Sequence, residues 1–433
     1  MTKYRRLILG ALCLGLLATS LLSIAAPAPA VEKAEDDKAF DRARELFELG
    51  RVIFRYSRMG SHLFFSRTLQ LHRAVREIGP ATALSVGLKV DAAALPPELL
   101  AALRRGEVDL DDPANTVALI ELGAVVGVIG DIARNGRLHE VGITCALCHS
   151  TVDDSVAPGI GLRLDGWPNR DLDVGAIIAL APSLRPLADS LGVDVATVRA
   201  VLASWGPGKF DAHLNLDGQA FRPDGGTAAV LIPPAFGLAG VNLATYTGWG
   251  SVTYWNAFVG NHEMGGLGTF FDPRLADAEQ FPVAAANGLD QVANDHDVIT
   301  KKLAALHFYQ LALPAPKPPP GSFDEAAAAR GGLLFRGRAE CARCHVPPLF
   351  TEPGHNLHAP EEIGIDGFQA SRSPTGRYRT TPLRGLWTQV KGGFYHDGRF
   401  ATLLDVIDHY DGVFALGLSA GEKRDLVEYL KSL

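Results

Sequence analysis

The chain has 433 residues, of which 47% are hydrophobic and 21% are charged. At roughly 150 residues per domain, this length predicts two or three domains that each bury a core of their own. The ordinary apolar fraction excludes disorder, collagen and coiled coil, and a formal charge of −7 argues against a nucleic-acid-binding protein. With only 5 Cys and 3 Met, the chain is not a disulfide-rich scaffold.

Residues 1–30 have the pattern of a secretory signal peptide. Three basic residues precede an apolar run over 7–24, and residues 28–30 (Ala-Pro-Ala) offer a small-x-small cleavage site. We expect cleavage before Val31 and export to the periplasm, with an uncleaved membrane anchor as the less favoured alternative. Cleavage changes the formal charge from −7 to −10 and leaves four cysteines.

Helical periodicity precedes the first motif and predicts an N-terminal helical extension. Four segments have this pattern or a uniformly apolar run of helical length: 34–57, 62–78, 97–105 and 116–129.

All four remaining cysteines lie in two copies of one pattern. Residues 145–149 read Cys-Ala-Leu-Cys-His and residues 341–345 read Cys-Ala-Arg-Cys-His. Cys-x-x-Cys-His is the attachment signature of haem c, in which both thiols form thioethers and the His binds iron. A zinc site would need further Cys ligands, and a redox dithiol does not need the His. We therefore predict two covalently attached haem c groups. The attachment residues and iron ligands are Cys145, Cys148, His149, Cys341, Cys344 and His345.

The segment between the motifs differs from the segments around it. Residues 159–272 are rich in Gly and aromatic residues, which predicts a loop-rich insert. Residues 313–321 (Leu-Pro-Ala-Pro-Lys-Pro-Pro-Pro-Gly) form a stiff linker.

The residues after the linker resemble the class I cytochrome c fold. Ser322 is expected to cap a helix that leads into Cys341, and an amphipathic helix over 419–433 ends the chain. We expect a mainly α protein with two class I cytochrome c-like domains, each with a covalent haem, plus the extension and the insert. The predicted parts are the signal peptide (1–30), the extension with the first haem domain and insert (31–313), the Pro-rich linker (314–322) and the C-terminal cytochrome c domain (323–433).

A more specific resemblance lies near the C-terminus. Residues 379–387 (Arg-Thr-Thr-Pro-Leu-Arg-Gly-Leu-Trp), 393–399 (Gly-Phe-Tyr-His-Asp-Gly-Arg) and 401–407 resemble the bacterial dihaem cytochrome c peroxidase family. Its relatives include dihaem enzymes that complete a tryptophan-derived quinone cofactor. The resemblance implies two haem domains in contact, where one haem passes electrons to another that reduces peroxide.

The second iron ligand decides between electron transfer and reactivity. No Met follows Cys341, and the position of the peroxidases' Met corresponds to Tyr410. A Tyr ligand is also implied by the resemblance to the quinone-maturing enzymes. His409 and His396 are alternatives, but adjacent helical residues point about 100° apart, so only one of Tyr410 and His409 faces the haem.

The first haem departs from the family pattern because no His follows His149 until His213. The first Glu after His149 is Glu263, beside Met264. Met264 is the leading sixth ligand, with core packing as the alternative, and Glu263 is a candidate acid/base for O–O cleavage. Under this interpretation the first haem transfers electrons and the Tyr410-type haem is reactive.

Four further residues are weaker candidates. Trp167 and Trp387 are candidate electron relays between the haems or core residues, and Arg384 and Arg399 are candidate partners of haem propionates or of surface carboxylates.

The resulting hypothesis is a periplasmic dihaem oxidoreductase that reduces hydrogen peroxide or another small oxidant. Its electrons would come from a small periplasmic donor, either a cytochrome or a copper protein. The alternatives are a non-enzymatic dihaem carrier and a dihaem oxygenase or cofactor-maturing oxidant. The sequence gives no reason to predict or to exclude calcium.

Overall fold

A computed structural model describes the backbone of residues 30–433 and the side chains from Glu35 onwards. The predicted signal peptide lies outside these residues, apart from the backbone of Ala30. By contacts the chain divides into two compact units, one ending at Leu46 and the other comprising Phe47–Leu433. Within the described residues, no helix combines the length and the apolar character needed to cross a membrane.

The described chain is mainly helical, as the sequence predicts. Its α-helices are Ala30–Tyr56, Leu71–Val75, Pro80–Ser85, Pro97–Arg104, Pro113–Glu121, Ala146–His149, Val174–Ala179, Arg185–Leu191, Val195–Trp205, Leu214–Asp217, Val252–Phe258, Pro282–Asn287, Leu303–Ala312, Glu325–Arg336, Phe368–Ser371, Leu403–Phe414 and Ala420–Lys431. Two π-helical segments, Leu63–Thr68 and Val259–Glu263, and six short 3-10 turns accompany them.

The strands within residues 30–433 are short and pair two by two. The antiparallel pairs are Val128–Ile132 with Leu138–Ile143, Ser150–Val152 with Arg163–Asp165, Lys209–Phe210 with Val230–Leu231, and Thr269–Phe271 with Gln291–Ala293. Val90–Asp91 pairs in parallel with Ile160–Gly161.

A β-hairpin positions the first haem-attachment motif. Its second strand, Leu138–Ile143, ends two residues before Cys145, and the Thr144 backbone N–H donates to the Gly127 carbonyl at 3.0 Å. Leu147 is buried in a core cluster with residues of the hairpin, and Cys148 packs against the same cluster.

Two helices frame the second motif. Glu325–Arg336 and Ala420–Lys431 cross so closely at Gly331 that an added Cβ would lie 2.0 Å from the Asp425 carbonyl oxygen. Phe335 and Tyr429 meet across the same crossing with ring centroids 5.1 Å apart. The core that they share also contains the side chains packed around Cys341.

Two sequence expectations need correction. Ser322 does not cap the helix after the linker, because Asp324 accepts from the Ala327 N–H and the Ser322 hydroxyl turns to the Pro319 carbonyl. The apolar run 116–129 is not one helix, since its end enters the strand Val128–Ile132. The insert 159–272 contains several helices among its loops, of which the longest is Val195–Trp205.

The linker connects the helices Leu303–Ala312 and Glu325–Arg336. By contacts, however, all of Phe47–Leu433 forms one compact unit. The boundaries 31–313, 314–322 and 323–433 therefore stay a prediction.

Candidate functional site

The first motif forms a single helical turn whose His is oriented by the backbone. The Nδ1–H of His149 donates to the carbonyl of Pro233 at 3.1 Å, so Nε2 is the ring nitrogen that remains for a metal. Burial lowers the pKa of His149 to about 4, which keeps the imidazole in its neutral, metal-binding form.

The two thiols of this turn are shielded from water. Burial raises the pKa of Cys145 to about 11. Burial raises the pKa of Cys148 to about 12, and the charges of Cys145 and Glu263 add to the rise. The Glu263 carboxyl, more than a hundred residues later in the sequence, is therefore within electrostatic range of Cys148.

The second motif repeats this arrangement on a shorter turn. Cys341–Arg343 is a 3-10 turn, and the Nδ1–H of His345 donates to the carbonyl of Phe350 at 3.1 Å. In both motifs a backbone carbonyl thus fixes the His tautomer and leaves Nε2 available. Both motifs therefore fit a covalently attached haem with a proximal His ligand.

A metal-ligand cluster lies beside the second motif, but it suits a zinc ion poorly. The ligand atoms of Cys344, Glu352 and His358 lie within 4.8 Å of one another. Both ring nitrogens of His358 are already occupied, Nε2 by Glu352 at 2.6 Å and Nδ1 by Glu362 at 3.1 Å. Hydrogen bonding to Cys344 and to Glu352 outweighs burial and raises the pKa of His358 to about 10, as expected for an imidazolium between carboxylates.

The helix Leu403–Phe414 turns Tyr410 and His409 in different directions. His409 Nε2 donates to the Ile363 carbonyl at 2.9 Å, which commits that nitrogen to the backbone. Burial raises the pKa of the Tyr410 phenol, and the nearby thiols of Cys344 and Cys341 add to the rise. The Tyr410 phenol thus lies within electrostatic reach of these thiols and bonds to Tyr395, and its role as an iron ligand stays a prediction.

The π-helical segment Val259–Glu263 brings a carboxyl group to the first motif. Burial raises the pKa of Glu263 well above its ordinary value, and the charge of Asp211 adds to this. Its Oε1 is buried and has no hydrogen-bond partner among the described residues. The adjacent Met264 is only 3% exposed, and its role as an iron ligand stays a prediction.

The two tryptophans considered as relays meet in the fold. The rings of Trp167 and Trp387 are perpendicular with centroids 5.3 Å apart. Trp387 Nε1 also donates to the carbonyl of Pro316 at 3.1 Å. The contact joins the segment after the first motif to the segment after the second.

The candidate propionate partners are placed differently from one another. Arg384 is exposed, whereas Arg399 pairs with Asp366 and with Asp397. Burial would raise the pKa of Asp366, but hydrogen bonds from Arg399 and Arg222 hold it well below its ordinary value.

Sequence reasoning missed several residues around the motifs. The carbonyls of Pro233 and Phe350 carry no side-chain signal, since they act through the backbone. Arg379 and Tyr395 both lie inside the stretches 379–387 and 393–399, which carry the family resemblance. Their position in those stretches was the available sign that they lie near the second motif.

No protein-family model matches the chain. The methylamine utilization protein MauG of Methylorubrum extorquens is 33% identical over 25% of this chain and 36% of its own length. The cytochrome-c peroxidase IdrP1 of Denitromonas iodatirespirans is 28% identical over 25% of this chain and 40% of its own length. A solved structure of a MauG-like protein associated with microbial copper homeostasis is 23% identical, covers 51% of this chain and 80% of that chain, and has a TM-score of 0.28.

The two motifs and the two curated relatives support a c-type cytochrome with haem c as its cofactor. Within that class it is a relative of the dihaem cytochrome c peroxidase and MauG family, which confirms the resemblance indicated by the C-terminal motifs. The chain spans only 36% and 40% of the lengths of the two curated relatives that it matches.

Proposed function

We propose that the chain is a periplasmic dihaem oxidoreductase of the cytochrome c peroxidase type. Its substrate is hydrogen peroxide or another small oxidant, and its electrons come from a small periplasmic cytochrome or copper protein. The observation that most supports this is the repeated arrangement of two Cys-x-x-Cys-His motifs, each with its His oriented by a backbone carbonyl. Covalent haem attachment outside the cytoplasm agrees with the predicted signal peptide.

Haem c supplies iron that exchanges electrons and binds small oxidants. Reduction of one peroxide to two waters consumes two electrons and two protons. Glu263 offers a buried carboxyl with an unpartnered oxygen beside the first motif, which suits the movement of those protons. This position favours the first haem pocket as the reactive one, with His345 and Tyr410 binding the second iron.

The Trp167–Trp387 contact suits electron transfer between the two motifs. The Tyr410 phenol is within electrostatic reach of Cys341 and Cys344, which supports Tyr410 as the residue that would hold the second iron together with His345. Met264 as sixth ligand of the first iron would instead make the second site the reactive one, and the electron spin resonance spectrum of the holoprotein separates the two assignments.

The first experiment measures the haem content of the purified protein and its response to peroxide. We expect two haems per chain and a high-spin signal that changes when peroxide is added. Cys341→Ala with Cys344→Ala is expected to leave one haem. Two low-spin, six-coordinate haems that ignore peroxide would establish the carrier alternative instead.

The second variant tests Glu263. Glu263→Gln keeps the shape of the side chain but removes its acid/base function, so we expect peroxide turnover to fall by about 100-fold or more while haem content is retained. Glu279→Gln is the matched control because Glu279 is exposed. Equal turnover in the two variants would exclude Glu263 as the acid/base.

A further inference from the structure

Two arginines carry buried charge that no carboxylate of the described residues neutralises. Arg170 is 7% exposed, and its Nε and Nη1 are buried without a hydrogen-bond partner. Arg379 is half-buried; its Nη1 donates to the Leu243 carbonyl, whereas its Nε is buried without a partner among the described residues. By contrast, the fully buried positive charge of Arg372 is neutralised by ion pairs with Asp211 and Asp217. A buried cation without a counter-ion is costly, so Arg170 and Arg379 point to an anion from outside the chain's own side chains.

Each of these arginines lies next to a different haem motif. The residue before Arg170 donates its backbone N–H to the Cys148 carbonyl at 2.9 Å. Thr380, directly after Arg379, accepts at its carbonyl from the hydroxyl of Thr351. Thr351 is the residue that follows Phe350, whose carbonyl orients His345. One arginine is therefore anchored to the first motif and the other to the second.

Tyr246 is within electrostatic range of both guanidinium groups. The backbone N–H of Arg379 donates to the Tyr246 carbonyl at 2.8 Å. Burial raises the pKa of the Tyr246 phenol, while the charges of Arg170 and Arg379 oppose the rise. Burial lowers the pKa of Arg379 only to about 10, so it is still charged at neutral pH.

The nearby carboxylate of Asp397 does not supply the missing charge. Its Oδ2 accepts from Arg222 at 2.9 Å and from Arg399 at 2.7 Å. These two arginines also pair with Asp366, so this group of two cations and two anions is balanced by itself.

We propose that Arg170 binds a propionate of the first haem and Arg379 a propionate of the second, with Tyr246 between them. The inference rests on the proposed dihaem function. A propionate is a planar carboxylate, which a guanidinium binds through paired hydrogen bonds. Because a nearby positive charge favours the ferrous state, the two arginines raise the reduction potentials of the two haems. Because Tyr246 interacts with both charges, each arginine is also expected to influence the other haem, to a smaller extent.

The test is a spectroelectrochemical titration of the holoprotein, which follows each haem by its own spectral species. Arg170→Gln is expected to lower the equilibrium constant for reduction of the first haem tenfold or more, which is about 59 mV for one electron. Arg379→Gln is expected to do the same to the second haem. Each variant should change the other haem's constant by a smaller factor.

Arg384→Gln is the matched control, since it removes an exposed arginine from the same C-terminal region. Two bound haems with potentials in R170Q and R379Q equal to those of R384Q would overturn the inference and leave the proposed function intact. Fewer than two haems in the unmodified protein would overturn the proposed function itself.

Lysine variants cover the case in which the glutamine variants do not fold. Arg170→Lys and Arg379→Lys keep the charge, so both should hold two haems with reduction constants within about threefold of the unmodified protein. With both haems bound, a tenfold fall in the lysine variants would overturn the inference that the charge of these arginines raises the reduction potentials.

Discussion

At the scale of single residues, the direction of the side chain determines which of Tyr410 and His409 is available to the second iron. We expect Tyr410→Phe to abolish the spectral species of one haem, because the variant removes the phenol that we propose as a ligand of the second iron. His409→Leu should leave that species in place, since its ring nitrogen is bonded to the Ile363 carbonyl. Electron spin resonance and absorption spectra of both holoproteins provide the measurement, and loss of the species in H409L alone would reverse the assignment.

The residues of the two haem-attachment motifs could be predicted from the sequence. The sequence could not decide which of Tyr410 and His409 is available as the second ligand. Cys-x-x-Cys-His is a local pattern whose chemistry follows from its spacing. The choice between Tyr410 and His409 depends on helix rotation, which is set by distant groups such as the Ile363 carbonyl. The same limit applies to Glu263, whose approach to Cys148 depends on a π-helical turn with no sequence signature of its own.

At the scale of elements, the crossing of the two helices around the second motif depends on one glycine. Gly331→Ala places a Cβ against the Asp425 carbonyl, so the helices must separate, and we expect a loss of about 1–3 kcal/mol in the free energy of unfolding. Gly421→Ala is the control in the partner helix, because its nearest neighbours lie at ordinary distances of 3.9 Å and 4.0 Å. That change should stabilise the protein by up to about 1 kcal/mol.

Urea titrations of the two variants, followed by circular dichroism and Soret absorption, compare these effects. Equal stabilities for G331A and G421A would mean that the crossing is not tightly packed. The last helix itself was predictable, since Ser419 caps it and Glu422 completes a capping box. The helix Glu325–Arg336 was also predicted, but its N-cap was not, because Ser322 and Asp324 are both residue types that cap helices.

At the scale of the whole molecule, the contacts that join the insert to the C-terminal region have no sequence pattern. Asp211 and Asp217 lie more than 150 residues before Arg372, and nothing in their local sequence distinguishes them from surface acids. The mainly α class was predictable from periodicity, whereas the helices of the insert were underestimated because its glycines resemble loop signals. Ion pairs between residues far apart in the chain could not be predicted from the single sequence.

The buried cluster of Arg372 with Asp211 and Asp217 is expected to be a main determinant of stability. Arg372→Ala leaves two carboxylates buried without their cation, and the free energy of unfolding should fall by about 3–5 kcal/mol. Arg185→Ala breaks the exposed pair with Asp189, whose side chains are 75% and 59% exposed, and should cost about 1 kcal/mol or less. Urea unfolding of both holoproteins measures the difference. The triple variant with Asp211→Asn and Asp217→Asn should recover part of the loss, because it removes the stranded negative charges; no recovery would mean that Arg372 acts through packing and not through charge.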